Sequence, residues 1–272
     1  MEEGEAVVRY VGGGEVGVCA ITMWCGEPNS LHTFCEPKQA TVRGFQEFYN
    51  TLSCLVYVVV GGGGLAVARS TNSNWRICMG WCALLVVGLS SGFFHATLRY
   101  SAELFDEVTM LALVFSFLLG KEDTVSWLSG PRRRLRFRVA VATLLLSATL
   151  LYVTVFVYEI FCYTFLVAVV VEIAIDLAAR PRTWQTRVCF FAAVAAIGLG
   201  YVVWQLEQNL CAIHPHVWPL HVVWHFLSCV GGAFAILHNV FLRREKLAER
   251  RDALASQSPA GVLSSHQSSA AI

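Results

Sequence analysis

The feature that most limits what this chain can become is a succession of apolar stretches, each near the length that crosses a bilayer, joined by short connections that carry most of the arginines. They fall at 44–68, 75–97, 103–120, 139–157, 159–178, 187–206 and 219–242. With 56% hydrophobic residues, 14% charged and a mean hydropathy of +0.57, the 272 residues exceed what a soluble domain can bury. The pattern predicts an all-α integral membrane protein, a bundle of seven transmembrane helices with no separate soluble domain. The run Gly61 to Gly64 would weaken a soluble helix, but between lipid-embedded helices it permits close approach.

Basic residues divide between alternate connections. Arg69 and Arg76, then Lys121 with Arg132, Arg133, Arg134, Arg136 and Arg138, then Arg180, Arg182 and Arg187, then Arg243, Arg244 and Lys246 share one side. By the positive-inside rule that side is cytosolic, so the amino terminus is lumenal or extracellular and the carboxyl terminus cytosolic. Three regions follow: a lumenal lead-in over 1–43, lying at the membrane surface, the helical bundle over 44–242, and a cytosolic tail over 243–272. The tail turns to Ala, Ser, Gln and Gly, a composition expected to be disordered. The start, Met1 to Glu5, is acidic where a secretory leader would be basic, so the first span is expected to act as the insertion signal. A net charge of +1 gives no support for nucleic-acid binding, and no obligate protein partner is indicated.

Ionisable groups inside apolar spans are costly and need a partner or a task. The stretch from Ser91 to Asp106 ends one span and begins the next, bringing Ser91, His95 and Asp106 towards one membrane face. Ser91 and His95 are one helical turn apart, and His221 and His225 repeat that spacing far downstream. Three imidazoles can hold zinc and leave a position open for water. Asp106 can then accept the water's proton, and Ser91 can donate to the oxyanion formed at a substrate carbonyl. That constellation hydrolyses an amide or ester. The plainer readings are helix-packing histidines and serine, and a solvated helix start at Asp106 and Glu107. His214 and His216 are expected in a solvated loop, where they could still compete for metal, and Glu172 lies within a span without an evident partner.

Three stretches carry a resemblance: C-E-P-K with Q-E-F-Y-N-T at 35–51, S-G-F-F-H-A-T-L-R-Y with L-F-D-E at 91–107, and L-H-V-V-W-H-F-L at 220–227. The chain resembles the alkaline ceramidases, seven-span hydrolases of the superfamily that includes adiponectin receptors. The resemblance implies zinc on His95, His221 and His225, Asp106 as general base and Ser91 as oxyanion partner. It also implies a membrane-embedded enzyme of the endoplasmic reticulum or Golgi that cleaves ceramide, its lipid partner, in sphingolipid metabolism. Rival readings are a related zinc hydrolase of lipid esters and a non-catalytic seven-span receptor or scaffold.

The family also resembles a calcium-binding protein in its amino-terminal segment, with the pattern D-W-C-E-x-N and a glutamate at the start of the first span. Aligned on Glu47, this chain has Thr33, Phe34, Cys35, Glu36 and, in the last position, Lys38. Two oxygen donors are lost and a cation is gained, so the expectation divides between calcium and an ion pair of Lys38 with Glu36 and Glu47. An alternative anchor, Trp24-Cys25-Gly26-Glu27 with Asn29, requires an insertion. Of ten cysteines, most lie in spans as small apolar residues. The resemblance implies a disulfide between Cys35 and Cys211, with Cys25 as the competing partner.

Overall fold

The computed structural model describes residues 28–256, apart from 126, 127, 129 and 156. The candidates Trp24, Cys25 and Glu27, the amino-terminal acidic start and the last part of the tail, 257–272, lie outside the described residues.

Every regular element among the described residues is helical: α1 (Phe48–Ser53), α2 (Leu55–Ser70), α3 (Trp75–Thr97), α4 (Tyr100–Gly120), α5 (Pro131–Val155), α6 (Tyr158–Ala179), α7 (Trp184–Leu210) and α8 (Pro219–Ser256). Short 3-10 turns, Lys121–Asp123 and Pro215–Val217, follow α4 and precede α8. Six helical segments are long and apolar enough to cross a membrane, with α1 and α2 forming one such segment, Phe48–Ser70. This is an integral membrane protein. The helix not among the six is α4, whose first two turns carry Glu103, Asp106 and Glu107.

Close helix contacts explain the glycines. A Cβ at Gly61 would lie 2.5 Å from the backbone nitrogen of Leu85, and one at Gly88 would lie 2.7 Å from the Tyr57 side chain, so α2 and α3 meet nearly backbone to backbone. Tyr57, Trp81, Leu84, Leu113, Phe117, Cys229 and Ile236 join α2, α3, α4 and α8 into the main core. A second cluster, Val114, Phe115, Leu118, Val141 and Ala168, attaches α5 and α6 through α4. Between α3 and α4 the chain turns at Leu98, a buried non-glycine residue with φ +47°, whose carbonyl accepts the amides of Asn29 and Ser30.

Several features differ from the sequence reading. The arginines from Arg132 to Arg138 lie on α5 itself, which starts at Pro131 because proline suits the first helical position. Lys121 lies in the connection after α4, as expected, but is fully buried there; its Nζ lies 2.9 Å from Glu172 and 2.6 Å from Asp176, which supplies the partner that Glu172 lacks in the sequence reading. Finally, α8 continues past 242 to Ser256, so the first part of the expected tail is helix. Polar contacts hold this extension: Glu245 accepts the amides of Arg182 and Thr183, Arg243 Nε donates to Asp123 Oδ2, and Arg250 donates to the Asp123 carbonyl. Burial works against the charged form of neighbouring Glu122, but its pairing with Arg138 and Arg76 holds the carboxyl below its usual range.

Candidate metal centre

At the opposite end of the bundle, α3 presents His95 in its last turn and α8 presents His221 and His225 in its first two. All three are buried, and their ring centroids lie 5.0 Å (His95 to His221), 5.0 Å (His95 to His225) and 4.7 Å (His221 to His225) apart. Each Nδ1 has an oxygen partner. His95 Nδ1 is 2.6 Å from Glu47 Oε2, His221 Nδ1 is 2.9 Å from Glu207 Oε2, and His225 Nδ1 is 2.6 Å from Ser53 Oγ. A carboxylate accepts, so His95 and His221 donate from Nδ1. Ser53 spends its own proton on the Asn50 carbonyl at 2.8 Å, so His225 also donates from Nδ1. The lone pair of each neutral ring is therefore on Nε2, and all three rings border one cavity. Oriented imidazoles with their far nitrogens anchored are the arrangement that binds a transition-metal ion.

A second set overlaps the first. Cys54, His95 and His225 offer ligand atoms that all lie within 4.8 Å of one another, and this buried group can hold a metal ion. Cys54 Sγ donates to the Asn50 carbonyl at 3.1 Å and approaches His225 at its Nδ1, 3.7 Å away. Sequence reasoning missed Ser53, Cys54 and Glu207. Their signal was slight: a polar pair in the first turns of an apolar span, and one acid just before the end of another.

Asp106 borders the same cavity from α4, and Ser91 borders it from α3. Ser90 Oγ lies 3.2 Å from Asp106 Oδ1, and Ser91 is also within hydrogen-bonding reach of that carboxyl. Glu107, the next residue, instead accepts a short hydrogen bond from the Tyr152 hydroxyl. His214 is exposed on the connection before α8, and His216 lies in the 3-10 turn beyond it. Neither borders the cavity.

The lead-in covers this end. Leu31 and His32 donate their amides to the buried Glu103 at 2.6 and 2.8 Å, and the Phe34 ring lies 3.9 Å from that of His221. Cys35 is joined to Cys211 by a disulfide, and its amide donates to Glu207, the same carboxylate that anchors His221. Glu36 accepts the amides of Tyr49 at 2.7 Å and Asn50 at 2.8 Å, capping the start of α1 from outside; its burial pushes the carboxyl up, against the pull of those two amides. Glu47 is fully buried and accepts from Lys38 Nζ and the Phe34 amide on one oxygen, and from Asn50 and His95 on the other. These residues do not fit a calcium ion. Each carboxylate oxygen is already taken by an amide, imidazole or ammonium hydrogen, and the Lys38 ammonium stands on the glutamate that the ion would use.

The cavity holds about 370 Å³. Below the histidines its walls are apolar, including Phe161, Phe165, Val169, Ile173, Val194 and Ile197. Tyr163, Leu166 and Val170 on α6 and Tyr201 on α7 border it while exposed on the outside of the bundle, so it opens sideways between these two helices.

Fold and site together define a helical membrane protein with a buried group of histidines and a cysteine that could hold a metal ion, bordering a largely apolar cavity. Comparison with known proteins narrows this: a family model described as Ceramidase matches residues 26–261, and the chain belongs to that family. It is similar to Alkaline ceramidase 3 of Mus musculus, 24% identical over 229 residues covering 80% of this chain and 85% of the relative. It is also similar to Alkaline ceramidase 1 of Homo sapiens, 26% over 214 residues (75% and 79%), and to Alkaline ceramidase YPC1 of Saccharomyces cerevisiae, 26% over 246 residues (80% and 78%).

Proposed function

We propose that this protein is a zinc-dependent alkaline ceramidase, hydrolysing the amide of ceramide within the membrane to a sphingoid base and a fatty acid. One observation carries the reading: three buried histidines with anchored Nδ1 atoms, Asp106 and Ser91 all border one cavity that is mostly apolar below them and opens sideways. A lipid diffusing in the bilayer can reach such a cavity without leaving the membrane.

His95, His221 and His225 would hold zinc, which when bound polarises a carbonyl and makes a water more acidic. Asp106 takes the proton of the attacking water on a carboxylate oxygen and later gives it to the leaving nitrogen, so the amine departs neutral. Ser91 donates its hydroxyl hydrogen to the former carbonyl oxygen as negative charge collects there. Glu47, Glu207 and Ser53 keep the three rings turned inward. The apolar walls hold the hydrocarbon chains and keep bulk water away.

Counting α4, whose carboxylates face the cavity and the lead-in rather than lipid, the bundle crosses the membrane seven times, with the histidine end lumenal and the arginine-rich end cytosolic. The Cys35–Cys211 disulfide at the histidine end suits an oxidising lumen, that of the endoplasmic reticulum or Golgi.

The test is ceramide hydrolysis by purified protein in detergent, with an ester analogue in parallel and zinc determined on the same sample. Stoichiometric zinc with release of fatty acid from ceramide is expected. Release from the ester alone would make the protein a lipid esterase, and zinc without any release would make it a binding protein.

A further inference from the structure

Lys38 lies on the lead-in, with its side chain 34% exposed, yet its ammonium reaches inward to a glutamate with no exposure at all. A carboxylate taken wholly out of water needs compensation of charge as well as hydrogen bonds. Around Glu47, Phe34 N and Asn50 Nδ2 are neutral donors and Lys38 is the cation; its Nζ also donates to the Phe34 carbonyl at 2.7 Å, which fixes it in place. The other oxygen of Glu47 lies 2.6 Å from His95 Nδ1. Lys38 therefore stands two contacts from a histidine of the metal centre, with Glu47 between them.

We propose that Lys38 is a built-in cation: it does inside the chain what a divalent ion held by the lead-in would do, so this segment binds no calcium and His95 is oriented through the Lys38–Glu47 pair. Three further observations agree. Glu36, the other carboxylate of the segment, has both oxygens occupied by backbone amides of α1. Thr33 is exposed, and the Phe34 side chain packs on His221 and supplies no oxygen. A calcium ion needs six to eight oxygens, and among the described residues all four carboxylate oxygens of Glu36 and Glu47 are already engaged. Lys38 is a positioning residue: it touches neither cavity nor substrate.

The zinc part of the test rests on the function proposed above, and the calcium part does not. Wild-type protein is prepared in calcium-free buffer, its zinc is measured by elemental analysis, and calcium is titrated to millimolar concentration while melting temperature and bound calcium are followed. No bound calcium and no change in melting temperature are expected. In Lys38→Met, the zinc dissociation constant should rise by roughly 10- to 100-fold, the usual effect of losing support behind a ligating histidine. Lys38→Arg, which keeps a cation on Glu47, should recover part of that loss. Stoichiometric calcium in the wild-type protein overturns the proposal whatever the variant does, and so does Lys38→Met protein with unchanged zinc affinity. A wild-type protein without zinc breaks the metal reading instead, and calcium binding then decides for or against the built-in cation.

Discussion

The bundle carries a buried polar cluster at each end, and the two are built to opposite rules. At one end, His95, His221 and His225 each spend one ring nitrogen on an oxygen partner and keep the other in reserve. At the other, His238 spends both, Nδ1 on the Thr186 carbonyl at 2.9 Å and Nε2 beside Asp176 at 2.9 Å, while Lys121 lies between Glu172 and Asp176. The second cluster is closed, with cation and carboxylates neutralising one another. The first is open, because each of the three imidazoles keeps one ring nitrogen outside those contacts. Burial and residue type alone would rank the two ends equally; the spare nitrogens separate them.

The largest effect that can break this comparison is on the open cluster. His221→Ala should remove the metal and all ceramide turnover, whereas Cys54→Ala should keep both, because Cys54 approaches His225 on its already engaged Nδ1 side. Elemental analysis of both variants checks this, and the reverse result would move the site to Cys54, His95 and His225. Next, Asp106→Asn should retain the metal and lower kcat by about 10²- to 10⁴-fold, the usual range for losing a positioned general base. Turnover near that of the wild type would remove Asp106 from proton transfer. For the reaction itself the smallest effect belongs to the closed cluster. Lys121→Met leaves two buried carboxylates without their cation and should cost about 3–5 kcal/mol of stability. Thermal unfolding in detergent should detect that loss, while the metal content of the folded fraction stays at the wild-type level. Loss of metal in this variant would mean that the two ends are not independent.

Most of the helices could be read from the sequence, because apolar length is a local property and bilayer thickness gives it a scale. The end of α8 was not legible: Ala, Ser and Gln after Lys246 suggest disorder, and the helix is held by Arg243, Glu245 and Arg250, whose partners lie on other elements. At the site, the spacing of His221 and His225 was visible because both share one helix. The contacts that orient the rings were not, although Glu47 itself was already a candidate. Glu47, Glu207 and Ser53 are 48, 14 and 172 positions from the histidines they meet, and no periodicity within a helix reports on such distances. The lead-in was the least legible region, for its order comes from amides docked on Glu103, Glu207 and Leu98 rather than from any pattern of its own.

The 38 residues of α8 rise about 57 Å, well beyond a hydrocarbon core of about 30 Å. From His225 to Leu242 the rise is about 26 Å, close to that core thickness. One rod thus joins the proposed metal ligands at one end to the arginine-held segment at the other. On the proposed function, the depth of the histidines below the lipid surface would be set partly by the membrane: a thinner or thicker bilayer would shift or tilt this rod, and the histidines with it.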